Sequence, residues 1–321
     1  MRIITVAAIA ACSLAATAHA AAPSYPERPV RLVVPFAAGG TATILARAIA
    51  NEAERHLDQP IVVDNRGGAN GIIGTHLVAT AEPDGYTVLH VTTSIAINPS
   101  VYRKLPYDTL RDFQPVTFVA LGSGYLLLAH PGFAPQSVKD LIVSAKAHRV
   151  TYGTAGIGNS THLVAEMFSR AAGLSMTHVP YKGVAPALNG VMGGEVNVMF
   201  IPPTVAVSQV KAGKAKALAF TGKQRWSVLP DVPTVAESGL PGFHKDSGWN
   251  VWLVPAKTPA HVVTRLHAAA QRAVNAPKVK ALLEAGGYDP FANPPAEARK
   301  LLREEIKTYG AIVRAVGIQP E

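Results

Sequence analysis

Two hydrophobic rhythms alternate along the chain. From Val30 onward, short β-branched runs (VRLVVP at 30–35, IVVD at 61–64, TVLHV at 87–91) read as buried strands, each leading toward a helical stretch. Between the first two, Leu45, Ile49, Ala53 and Leu57 recur every four residues while Arg47, Asn51, Glu54 and Arg55 fall on other faces, which predicts a helix packed on a sheet. A second helix near 72–81 stops at Pro83, and Asp84-Gly85 turns the chain into the third strand.

A second series follows, with strands expected at 125–129, 150–153, 178–180, 196–200 and 217–221 and helices near 138–148, 162–172 and 185–192. WNVWLV at 249–254 reads as one more strand, and helices at 261–275 and 296–316 return the chain to the first series. The pattern predicts an α/β protein of two lobes, the first at 21–122 and 247–321, the second at 123–246. Parallel sheets place ligands outside the carboxyl ends of their strands, so a cleft between the lobes is the expected site.

The first 22 residues differ. One cation, Arg2, precedes an apolar run over 3–16 and then small residues ending in Ala18-His19-Ala20, the order of a secretory signal peptide occupying 1–20. The run is shorter than the roughly 20 residues a membrane span needs. A periplasmic, soluble mature chain starting near Ala21 is expected. Cys12, the only cysteine, lies inside this leader, so the exported chain would hold no thiol, disulfide or thiolate metal site. The alternative is lipoprotein processing at Ile9-Ala10-Ala11-Cys12, against which stands the short apolar run before Cys12.

Composition narrows the picture further. With 321 residues, 48% of them hydrophobic and 16% charged, the chain is long enough for two cored domains. Its 27 glycines and 25 prolines follow no period, which excludes a fibrous protein. The net charge of +9 suits acidic ligands, nucleic acid or an anionic surface. The cations are dispersed along helix faces without an aromatic-interleaved stripe, and read as solvated surface rather than a nucleic-acid site.

Two glycine-bearing turns are the candidate chemistry. Gly39-Gly40 follows the first strand and opens a helix, where bare N–H groups suit an anion; the same glycines also serve a tight turn that needs them for dihedrals alone. Thr154-Ala155-Gly156-Ile157-Gly158-Asn159-Ser160-Thr161 repeats the arrangement before the helix at His162 and adds hydroxyl and amide donors. Gly156-x-Gly158 begins like a dinucleotide fingerprint, but Thr161 stands at the third glycine position. Phosphate-loop, zincin and hydrolase-elbow signatures are absent, and Ser208-x-x-Lys211 lacks the companion motifs of penicillin-binding enzymes. Eleven histidines are scattered singly, only His162 and His178 beside the proposed cleft. No metal, cofactor or catalytic residue is expected.

Ordered motifs run the length of the chain: Tyr25-Pro26-x-Arg28-Pro29-Val30-Arg31, Val34-Pro35-Phe36-x-x-Gly39-Gly40, Asn65-Arg66, Pro83-Asp84-Gly85-Tyr86-Thr87, Ala96-Ile97-Asn98-Pro99, Lys104-Leu105-Pro106-Tyr107-Asp108, His178-Val179-Pro180-Tyr181-Lys182-Gly183, Leu229-Pro230-Asp231-Val232-Pro233-Thr234 and Gly317-Ile318-Gln319-Pro320-Glu321. In these the chain resembles the extracytoplasmic solute-binding receptors of tripartite tricarboxylate transporters, the Bug family. The resemblance implies a two-lobed periplasmic binding protein of type II, a Venus flytrap. Such a receptor acts as a monomer without catalysis, closes on a small organic acid and delivers it to membrane permease subunits.

It further implies ligand contacts from Phe36, Ala38, Gly39, Gly40, Thr41 and Thr43 in the first loop, and from Thr93 and Ser94 after the third strand. The second-lobe loop would add Thr154, Ala155, Gly156, Gly158, Asn159, Ser160, Thr161 and His162, and the end of a second-lobe strand Phe200 and Ile201. Thr43 and Ile201 stand where the family often has aspartate, and Asn197 replaces another within the strand, where packing is the expected role. A ligand carboxylate with an aromatic body and no amine is therefore expected, flanked by Phe36 and Phe200. The rival readings are a hydrolytic or other enzyme using the same cleft, which needs a nucleophile with a base or a metal set, and an envelope interaction protein with an empty cleft.

Overall fold

The computed structural model describes residues 25–320; the leader, Cys12 and the expected cleavage site lie outside the described residues. The chain runs β1 (Val30–Val34), α1 (Thr41–Leu57), β2 (Ile61–Asn65), α2 (Ile72–Ala79), β3 (Thr87–Thr92), α3 (Ser94–Val101) and β4 (Phe113–Gly122). It then crosses into β5 (Leu126–Ala129), α4 (Val138–Ala147), β6 (Thr151–Thr154), α5 (Ser160–Ala172), β7 (Thr177–Pro180), α6 (Val184–Met192), β8 (Val198–Ile201), α7 (Pro203–Lys211) and β9 (Lys216–Phe220). It returns as β10 (Trp249–Pro255), α8 (Ala260–Asn275), α9 (Pro277–Ala285), β11 (Tyr288–Pro290) and α10 (Pro295–Val316).

Two mixed sheets result, ordered β11-β4-β10-β3-β1-β2 and β7-β6-β8-β5-β9. β1 pairs in parallel with β2 and β3, and β6 with β7 and β8, whereas β10 and β5 run antiparallel to their neighbours. Each sheet is buried on both faces, which is why its central strands read as unbroken apolar runs. Along β1, Val30, Leu32 and Val34 pack into one core while Val33 enters the other. Along β5, Leu127 and Ala129 face one way and Leu126 and Leu128 the other.

The hydrophobic pattern passes over β4, the longest strand among the described residues. Pro115 and the polar Gln114 and Thr117 break the apolar run. A proline inside a paired strand is tolerated at a bulge, and the β4–β10 register slips between Trp252 and Leu253, where Leu253 faces Pro115.

The crossings between lobes are narrow. The Gly122 N–H donates to Gly248 O at 2.6 Å and the Ser123 N–H to Gly287 O at 3.0 Å, so the outgoing and returning segments are bonded together. Glycine is obligatory at Gly122, where a Cβ would lie 1.9 Å from Ser247 Oγ.

Candidate functional site

The carboxyl ends of β1, β3, β6 and β8 open toward one cavity between the lobes. The β1–α1 turn contributes Phe36, Ala37, Gly40, Thr41 and Ala42, and β3 contributes Thr92. From the second lobe come Ala155, Asn159, Ser160 and Thr161, with Val184 at the start of α6 and Pro202 before α7. Ser247, Trp249 and Tyr288 close it beside the crossing segments. None of these residues is charged. The positive ends of α1, α5 and α6 therefore supply the field, and such an end favours a nearby anion by roughly 0.3–1 kcal/mol, more when shielded from water.

The first loop arrives with its donors unused. Gly40 caps α1 in an extended conformation without a side-chain bond, its carbonyl accepts from Thr43 and Ile44, and no acceptor among the described residues takes the N–H groups of Gly40, Thr41 and Ala42. Thr41 is 5% exposed, and its hydroxyl has no partner among the described residues. A buried orphan of this kind costs about 1–3 kcal/mol, which a charged acceptor in the cavity would offset. Thr43 does not join them, contrary to the sequence expectation. Its Oγ1 accepts from Asn65 Nδ2 at 2.7 Å and donates to Ala37 O at 3.4 Å, while the same amide donates to Phe36 O at 2.9 Å, so the pair fastens the turn to β2.

The second loop is self-bonded. The N–H groups of Ala155, Gly156 and Thr161 donate to Thr161 Oγ1 (3.0 Å), Thr154 Oγ1 (3.3 Å) and Asn159 Oδ1 (3.1 Å). That of Gly158 donates to His162 Nδ1 at 3.1 Å, and that of Asn159 to Gly156 O at 3.2 Å. The N–H groups expected to meet a ligand at Ala155, Gly156, Gly158, Asn159 and Thr161 are therefore engaged within the loop, because so many short polar side chains satisfy it from inside. Asn159, Ser160 and Thr161 are its polar residues on the cavity. The loop also touches the first lobe: Asn159 Nδ2 donates to Asn70 Oδ1 at 3.1 Å, and a Cβ on Gly158 (φ +66°) would lie 2.5 Å from Val101 Cγ1.

Thr154 and His162 lie beneath this loop. The His162 ring stacks on that of His178 with centroids 3.9 Å apart, and Thr154 Oγ1 is 2.6 Å from His178 Nε2. Burial, and then the neighbouring His178, pushes His162 down to about 3, and burial takes His178 to about 4. Both are neutral at physiological pH.

Other expected residues stand elsewhere. Phe200 and Ile201 are fully buried in the second lobe; Phe200 packs on Phe168 with ring centroids 5.4 Å apart, because β8 is a central strand covered on both faces. Ala38 and Gly39 are exposed at the rim, and Gly156 lines an adjoining cavity with Tyr181 and Lys182. Thr93 and Ser94 are buried at the start of α3, leaving Thr92 on the cavity. Asn197 accepts from the Thr151 N–H (2.8 Å) and hydroxyl (3.0 Å), a packing role.

The aromatic wall instead comes from the first lobe: Phe36, Trp249 and Tyr288. Trp249 donates its indole N–H to Glu305 Oε2 at 2.6 Å, away from the ligand space. The strand at 249–254 was a signal for Trp249; β11, three residues long, gave none for Tyr288. Among the described residues, no group of three or more His, Cys, Asp or Glu could hold a metal, and no helix is long and apolar enough to cross a membrane.

Two lobes, each with a sheet buried on both faces, and a cavity walled by helix N-termini from both define a two-lobed periplasmic binding protein. The model of the tripartite tricarboxylate transporter family receptor matches residues 45–318, and the chain belongs to that family. The periplasmic binding protein BugD is similar at 34% identity, TM-score 0.87, over 92% of this chain and all of its own. Rpa4515 of Rhodopseudomonas palustris, solved with adipate, is 34% identical with TM-score 0.88 over 92% of this chain and 100% of that one. MatC from the same organism, with bound malate, is 32% identical with TM-score 0.82 over 90% and 100%.

Proposed function

We propose that this chain is a non-catalytic receptor that captures a small organic carboxylate between its lobes and hands it to the permease subunits of a tripartite transporter. The observation that carries the reading is the meeting of α1 and α5 N-termini from opposite lobes on one cavity without charged side chains, where the Thr41 hydroxyl and the α1 N–H groups lack protein acceptors. The acid head would sit on Gly40–Ala42 and Ser160. An apolar, aromatic body would lie against Phe36, Trp249 and Tyr288. An ammonium would lose its water with no carboxylate in the wall to receive it, at a cost of several kcal/mol. The bound adipate and malate of relatives support the carboxylate class.

In this reading the leader at 1–20 is removed on export to the periplasm. Lobe 1 comprises 21–122 with 247–321, lobe 2 comprises 123–246, and the mature protein works as a monomer. Releasing whatever copurifies and identifying it by mass spectrometry tests the ligand, alongside a thermal-shift panel of benzoate, phthalate, adipate, malate, citrate, glutamate and aspartate. A ligand at 100 times its dissociation constant adds about 2.7 kcal/mol of stability. The largest shifts are expected from acids without an amine and with an apolar body; a response to glutamate or aspartate alone would overturn the ligand class, and turnover of any bound acid would overturn the receptor.

A further inference from the structure

We infer that His162 is a positioning residue for the second-lobe loop that works only as a neutral acceptor, with His178 stacked on it to oppose its protonation, so that acid loosens the closed cleft. The inference rests on the receptor reading for its effect on ligand, but its structural core can be read without one.

The chemistry follows from the donors. Gly158 N–H can only donate, so His162 Nδ1, 3.1 Å away, must be bare and the ring proton must sit on Nε2. Nε2 points at Glu166 Oε1, 3.7 Å distant, too far for a hydrogen bond, and that oxygen already accepts the Tyr152 hydroxyl. Protonating Nδ1 would set one N–H against another and break the bond to Gly158. It would also put charge 3.9 Å from the nearly parallel His178 ring, which lies 5.1 Å from Tyr152 in the same stack. The titratable groups facing the pair are thus Glu166 on α5 itself, Tyr152 on β6 and His178 on β7. From the first lobe, α10 packs on α5 and carries Glu305, whose carboxylate holds the Trp249 indole.

The bonded residue is also the point of closure. Gly158 is seated against Val101 of the first lobe, and its neighbour Asn159 bonds Asn70 there, so a displaced Gly158 disturbs both interlobe contacts. Acid therefore acts on the closed form.

The test compares wild type with His162→Asn, whose Oδ1 offers an acceptor near the Nδ1 position but cannot take a proton, and with His162→Leu, which has no acceptor. In ligand-free protein, the Gly158 amide proton resonance should move upfield as wild type is acidified from pH 5 to 3, the range in which burial places the His162 titration, and stay fixed in His162→Asn. A fixed resonance in wild type overturns the inference. In calorimetry with benzoate and adipate as probes, wild-type affinity should fall about twofold more than that of His162→Asn between those pH values, the shared fall being the probe's own titration. His162→Leu should bind weakly at every pH. Equal pH profiles for wild type and His162→Asn also overturn it, whereas failure of every carboxylate at pH 7.5 sinks the receptor reading and leaves the resonance test to decide the inference.

Discussion

The two loops that meet over the cavity look alike in sequence, small residues and glycines between a strand and a helix, yet they do opposite things with their hydrogen bonds. The loop before α1 leaves Gly40, Thr41 and Ala42 N–H groups and the Thr41 hydroxyl without acceptors among the described residues. The loop before α5 satisfies Ala155, Gly156, Gly158, Asn159 and Thr161 from within. The difference is the cap. Gly40 has no side chain to turn back on its helix, whereas Asn159 does and Thr154, Thr161 and His162 extend the network. One loop is therefore left reactive toward an anion at the expense of its own stability, and the other is a preformed platform that carries the contact between lobes.

The largest effect is expected where the platform touches the first lobe. Gly158→Val places carbon atoms where Val101 stands, at a left-handed φ of +66°, and should prevent closure. Calorimetry should register at least a hundredfold loss of affinity, about 2.7 kcal/mol; a loss below threefold would show that the contact is incidental. Next comes acid. His90 and His178 are held down to about 4 and His162 to about 3, in each case by burial first, all below the ordinary 6.5. The unfolded chain thus binds protons before the folded one, so stability present above pH 6.5 is lost as pH falls toward 4. Urea midpoints at pH 7.5 and 5 should differ in that direction, and equal midpoints would contradict it.

The hydroxyl pair Thr161 and Thr41 sharpens the contrast further. Thr161→Val strips an acceptor from the Ala155 N–H and a donor from Asn159 Oδ1, and should destabilise the ligand-free protein by about 1–3 kcal/mol in denaturant titration. Thr41→Val removes an orphan, so ligand-free stability should hold or rise while affinity for the bound acid falls about tenfold, or about 1.4 kcal/mol. If both variants destabilise equally, the two loops do not differ as described.

The fold was legible because its strands are buried on both faces: an apolar run such as VRLVV or LLLA has no other use in a chain of this composition. The helices with four-residue apolar spacing, α1 and α8 among them, were equally plain. β4 was hidden by Pro115, whose place at a bulge depends on a partner strand more than 130 residues away. The site divided in the same manner. Local signals found Gly40, Thr41 and the loop at 154–161, since glycine and hydroxyl residues between strand and helix carry their meaning with them. Tyr288 and Ser247 reach the cavity only through tertiary folding, and Phe200, expected on the wall, lies in a central strand where both faces are covered. Whether a donor is available, as at Thr41, or engaged, as at Gly158, depends on what the next helix turns back toward it.

Trp249 gives the molecule an optical reporter of its own. Its ring borders the cavity while its indole N–H is anchored to Glu305, so an arriving ligand alters the polarity at one face of a chromophore that does not itself move. Trp252, shielded in the first core with its indole bonded to His90, supplies a steady background, and Trp226 lines a different cavity beside the crossing segments. Intrinsic emission should thus follow occupancy in real time without a label, and Trp249→Phe should silence the change while leaving most of the emission in place.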